Sequence, residues 1–123
     1  MDLDGLKRKL NVSMFYEFYF ESLVIEIKII NCLIKDLLSY YNLDVDLKKN
    51  IEFIEQLKYL REKEEKVKTY ISDEMIIDIV MWNNNLTKHI ISDDFINDDF
   101  GKMVINGKNI ISNLQNSIKL IKK

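Results

Sequence analysis

Residues 13–41 read SMFYEFYFESLVIEIKIINCLIKDLLSYY, and the spacing within them decides the fold class. Phe15, Phe18, Ser22, Ile25, Ile29, Leu33, Leu37 and Tyr40 form one stripe at helical period. Val24, Ile27, Ile30, Ile34, Leu38 and Tyr41 form a second. Ile and Val are numerous enough for a local strand, but length and period favour helix. As a single helix the stretch would run roughly 43 Å at 1.5 Å per residue. Its solvated strip is narrow: Glu17, Glu21, Lys28 and Lys35, with Asp36 beside them. A helix that is apolar nearly all round is central in its bundle or has a second partner. Another copy of the chain would supply that partner, so a homodimer is expected. Phe15, Phe18 and Tyr19 are read as core or dimer surface in preference to a platform on which bases stack.

Composition agrees with an all-α domain. The 123 residues suit one domain spanning 1–123. Apolar residues make up 47% and charged residues 31%, which argues against disorder. There is no proline where average usage of ~5% would give about six. Proline breaks helix interiors, so its absence and the three glycines point to helices joined by short turns. The net charge of −2 supplies no bulk field for nucleic acid or an anionic membrane, although a local patch for RNA stays open. The lone Cys32 allows no internal disulfide and suits a reducing cytoplasm; inside an apolar helix it reads as a small buried hydrophobe. No secretory signal and no run of ~18 uncharged apolar residues is visible, so no membrane partner is expected.

Outward from that stretch, Leu3, Leu6 and Leu10 suffice for one or two helical turns, and Asn11 or Ser13 could end or cap a helix. Residues 42–46 are a turn, with Asp46 as N-cap of a helix over 47–70. Its polar run Arg61-Glu62-Lys63-Glu64-Glu65-Lys66 is either a solvated face or a break between two shorter helices. Ser72 or Asp73 caps the next helix, MIIDIVMWNNNLTKHII over 75–91. Residues 92–100 form an acidic turn that repeats Asp-Asp-Phe. It lacks the spacing of a calcium loop and is expected to cap a final helix over 98–120. Asn106-Gly107 would mark a hairpin between strands, but here it reads as a weak spot within that helix.

The 75–91 segment carries the only histidine and the only tryptophan. Trp82, Asn85 and His89 fall on one face at i, i+3 and i+7, and Asn83-Asn84-Asn85 is a polar triple of low helix propensity. This helix, the acidic turn and the long last helix resemble the HEPN superfamily. Those domains are small bundles of four or five helices whose signature is Arg-x(4–6)-His near the end of the third main helix. On the tightest spacing Asn84 occupies the place of the signature arginine, Asn85 that of the following polar residue, and His89 that of the histidine. The resemblance covers about residues 15–120 in outline and six residues in detail. It implies an up-and-down bundle of four to five helices with one long central helix. It also implies catalytic candidates His89, Asn84 and Asn85 in a metal-free endoribonuclease site paired across a dimer.

The departure at Asn84 bears on activity. A histidine titrates near neutrality and can move the proton of a 2′-hydroxyl. An arginine fork holds phosphate and stabilises transition-state charge. Asparagine can donate hydrogen bonds but carries no charge, and loss of such a donor costs about 10²–10³ in rate. Lys88 points about 100° round the helix from His89 and is a poor substitute. The expectation is therefore a dimeric HEPN-like protein of a defence or toxin–antitoxin type system that binds RNA or a protein partner, with weak or no ribonuclease activity. The alternative is a non-enzymatic helical binder: a phage-encoded inhibitor, an immunity protein or a small subunit of a nucleoprotein complex. No phosphate loop, zinc spacing or Ser-His-Asp arrangement is present, and no cofactor or metal is expected.

Overall fold

Leucines at 3, 6 and 10 put one apolar side chain on the same face at every turn, and Asp2 caps the helix that carries them. The computed structural model describes residues 2–44, 52–92 and 97–123, and the side chains of all of these except 89–92 and 97–99. Helix α1 runs Leu3–Phe15, with Asp2 Oδ1 accepting from the Asp4 N–H at 3.1 Å. It buries Leu6, Leu10 and Ser13, so it is a full element and not one or two turns.

The continuous helix expected over 13–41 is instead divided. Helix α2 spans Tyr19–Tyr40, and a corner at residues 16–18 separates it from α1. The corner has the hydrogen bonds of a Schellman cap. The Phe18 N–H donates to the Ser13 carbonyl at 2.9 Å and the Glu17 N–H to that of Met14 at 3.1 Å. Glu17 takes the left-handed conformation, φ 59°, at the position where glycine or asparagine is usual. Two buried serines brace the turn. Ser13 and Ser22 hydroxyls are 2.8 Å apart, and each lies within hydrogen-bonding distance of the Phe18 carbonyl, at 3.1 and 2.9 Å, so one hydroxyl donates to the other and that one to the carbonyl. The far end of α2 repeats the device with a residue suited to it. Asn42 has φ 57°, and Leu43 donates to the Leu38 carbonyl at 2.8 Å.

Helix α3, Phe53–Lys63, and helix α4, Glu65–Tyr70, are separated by an extended residue, Glu64. The polar run at 61–66 is thus a break. Ser72 caps α5, Asp73–Ser92, accepting from the Met75 N–H at 3.3 Å. Helix α6 spans Asn97–Ile121. The described residues hold six helices and no strand. The all-α class stands. The expected four to five helices become six because the two long stretches at 13–41 and 47–70 each divide. Asp46 and residues 93–96 lie outside the described residues, while Ser92 and residues 97–100, expected as parts of the acidic turn, are helical in α5 and α6.

Helix α2 is the centre of the bundle, packed by α6, α1 and α3, while α5 lies against α6 and α3. Its buried face includes Leu23, Ile29, Ile30, Ile34 and Leu37. The second partner that an over-apolar α2 calls for is α1 of the same chain, which lies along it. Cys32 is half-buried against the core, more open than a fully buried hydrophobe. Polar ties close the periphery. Arg61 pairs with Asp73 at 2.6 Å, Lys122 pairs with Asp36, and the Ser117 hydroxyl donates to the Tyr70 carbonyl at 2.9 Å. No described helix is long and apolar enough to cross a membrane.

Candidate functional site

Positions 78, 81, 82 and 85 of α5 fall within one face at helical spacing, and positions 103, 106, 110 and 113 of α6 fall within another. The two faces meet in a groove of about 370 Å³. Its floor is apolar, from the buried Trp82, Met103 and Ile110, and the exposed Met81 stands at its edge. Trp82 is buried, and its indole N–H donates to the Met103 carbonyl at 2.9 Å, fixing α5 against α6. A buried indole needs such an acceptor, and here the acceptor lies on the neighbouring helix.

The rim is almost entirely carboxamide. Asn85 lines it from α5, and Asn106, Asn109 and Asn113 from α6. Among the described residues Asp78 is the one charged lining residue. None of these five side chains hydrogen-bonds another described residue, so their donors and acceptors face the groove or solvent. Carboxamides offer paired donors and acceptors but neither a nucleophile nor a proton that moves at neutral pH. The groove can bind and orient a ligand, and none of its described lining side chains is a cation for phosphate.

Of the site residues predicted from sequence, Asn85 alone is among the described residues that line this groove. Asn85 lines it and is exposed. Asn84, one position earlier, is exposed and not among the lining residues. The half-buried Asn83 uses its main-chain carbonyl to accept from the Thr87 hydroxyl at 3.0 Å. His89 lies on α5 one turn beyond Asn85, and its side chain is outside those described. Trp82 serves as floor and helix tie, while Asn85 stands at the rim. Among the described residues no group of three or more His, Cys, Asp or Glu could hold a metal.

One buried polar residue escaped the sequence reading. Glu26 of α2 is 0% exposed, and neither carboxyl oxygen has a hydrogen-bond partner among the described residues. Burial pushes its pKa up to about 9, against a smaller downward pull from the Lys108 ammonium. The group is therefore protonated at neutral pH. It sits against Gly107 of α6, where an added Cβ would come within 3.0 Å of all three carboxyl heavy atoms. The sequence did hold the signal. Glu26 follows Leu23 by three residues and precedes Ile30 by four, so it shares their core-facing side. The mid-helix Gly107, read as a weak spot, marks where α6 makes room for it. Comparison with protein-family models, curated proteins and solved structures found no match to this chain.

Proposed function

We propose that this chain is a HEPN-like helical protein of a defence or toxin–antitoxin type system, working in the cytoplasm as a dimer, that binds a protein partner and does not turn over RNA. The observation that carries the reading is the lining of the α5–α6 groove: among the described side chains, four asparagines, one aspartate and no cation over an apolar floor. Proteins hold nucleic-acid backbones chiefly with Lys and Arg, and affinity follows the number of phosphates neutralised. A groove without either residue, in a chain of net charge −2, fits the N–H and C=O groups of another protein better.

The end of α5 supports the absence of turnover. Asn84 stands where the HEPN signature has its arginine, and the other positions of that frame, Asn85 and His89, follow on the same helix. With no charged fork to hold the scissile phosphate, His89 and Asn85 are left as binding groups. The alternative role, as a phage-encoded inhibitor, an immunity protein or a small subunit of a nucleoprotein complex, uses the same groove and differs in the partner it meets.

The test is co-expression of the chain with the products of its neighbouring genes, followed by purification of wild type and Asn109→Arg. The expected result is one stoichiometric protein partner, lost on the substitution and insensitive to ribonuclease. Co-purification of RNA in its place, strengthened by Asn109→Arg, overturns the reading.

A further inference from the structure

The corner between α1 and α2 displays aromatic side chains that a monomer has no use for. Phe15 is 80% exposed, Tyr16 60%, Phe18 55% and Phe20 51%. Three of them form one surface. The rings of Phe15 and Tyr16 meet edge to face at 5.1 Å between centroids, and those of Tyr16 and Phe18 stack at 5.9 Å. With full aromatic areas of about 150–250 Å² each, the exposures of Phe15, Tyr16 and Phe18 leave on the order of 400 Å² of ring surface in water. Contiguous patches of that size mark contact sites. The corner beneath is rigid, pinned by its Schellman bonds and by the Ser13–Ser22 hydroxyl pair. The rings are thus presented in place before any partner arrives, which lowers the ordering cost of association.

Beside this knob the same molecule carries a matching hollow. A groove of about 500 Å³ runs between α1 and α2, with Val12 and Phe18 as its apolar wall and Arg8 and Lys9 as its cations. Arg8 is held only by a 3.9 Å pairing with Asp2, both side chains mostly exposed, so it is free to exchange partners. The knob bears the opposite charge, because Glu17 lies between Tyr16 and Phe18 at the tip of the corner. Glu21, on the groove wall, is the one like charge there.

We infer that this corner is a two-fold interface with a second copy of the chain, the Phe15–Phe18 knob of each protomer seated in the α1–α2 groove of its partner. A knob and a hollow adjacent on one surface satisfy each other twice under two-fold symmetry. In that pairing Glu17 of one copy meets Arg8 and Lys9 of the other. The ring surface supplies on the order of half of the ~800 Å² per partner of a standard interface, and the groove that receives the partner's knob adds to it. A lipid surface or nucleic acid fits less well, since Glu17 and Glu21 stand among the rings. The inference rests on the dimer of the proposed function and not on the α5–α6 groove.

Sedimentation velocity of the full chain from about 1 to 200 μM tests it. Wild type is expected to pass from monomer to dimer across that range. Phe15→Ser, at an exposed position, and Glu17→Arg are each expected to weaken dimerisation at least 10-fold. Arg8→Glu/Lys9→Glu is expected to do the same, and mixing it with the Glu17→Arg protein is expected to restore dimers, because both contacts across the axis become attractive. A dimer unmoved by all three variants overturns this interface while leaving the dimer itself. A strict monomer overturns both. Monomers that bind anionic vesicles or single-stranded RNA through Phe15 also overturn it, by giving the corner another occupant.

Discussion

The carboxyl group of Glu26 on α2 lies against the bare Cα of Gly107 on α6, in space that any other residue at 107 would fill. This sets a sign opposite to ordinary helix propensity. Alanine in a helix interior is favoured over glycine by about 1 kcal/mol. Here its methyl group would force a fully buried side chain to move in a packed interior, at a cost of about 1–3 kcal/mol. Gly107→Ala is expected to lower stability in urea unfolding, and adding Glu26→Ala to it is expected to recover much of the loss. A stabilised Gly107→Ala protein would show that the carboxyl has room to yield.

The same residue fixes how stability depends on pH. Unfolded, Glu26 ionises near 4.5; folded, it ionises only at about 9. Between these values the native state binds the proton that the unfolded state releases, so stability falls as pH rises. The slope from this group reaches up to about 1.4 kcal/mol per pH unit. Thermal melts at pH 5 and pH 8 should show wild type losing several degrees more than Glu26→Gln over that interval, with the two proteins closest at the acidic end. Equal losses would place the carboxyl in contact with water or with a cation.

At the α1–α2 corner, Ser13 and Ser22 act together. Their two protons serve the contact between the hydroxyls and the Phe18 carbonyl that both approach. Ser13→Ala and Ser22→Ala are each expected to cost about 1–2 kcal/mol, the range for stranding a buried hydrogen-bonding group. The double variant should cost less than the sum, with a coupling of at least ~0.5 kcal/mol in a double-mutant cycle. Strict additivity would mean that the two side chains do not share the turn.

Helical class, the absence of a spanning helix, the cap at Ser72 and the turn that begins at Asn42 were legible in the sequence because each follows from local chemistry. Period, missing proline and a good capping residue all point one way there. The break at residues 16–18 was not legible. It is made by Glu17 in a conformation that L-residues visit at a cost, inside an aromatic run that keeps helical spacing on both sides. Only the tertiary gain of folding α1 back along α2, with Ser13 meeting Ser22, selects it. That fold-back also supplies from within the chain a second partner for α2, and it turns Phe15 and Phe18, read as core or dimer surface, away from the core. Asn85 could be placed at a site from sequence because it sits one turn from His89. Asn106, Asn109 and Asn113 could not, since only the packing of α6 on α5 brings them to the same groove.

The central claim is that the end of α5 carries a nuclease frame without its charged member and therefore binds without cleaving. Its most direct test is cleavage of an end-labelled single-stranded RNA by wild type, His89→Ala, Asn84→Arg and Asn84→Arg/His89→Ala. The account predicts no cleavage by wild type or His89→Ala. Asn84→Arg should gain at least the ~10²-fold that one such donor typically contributes and lose it again in the double variant. Cleavage by wild type that disappears in His89→Ala would contradict the absence of turnover, and an inert Asn84→Arg would contradict the HEPN-like frame.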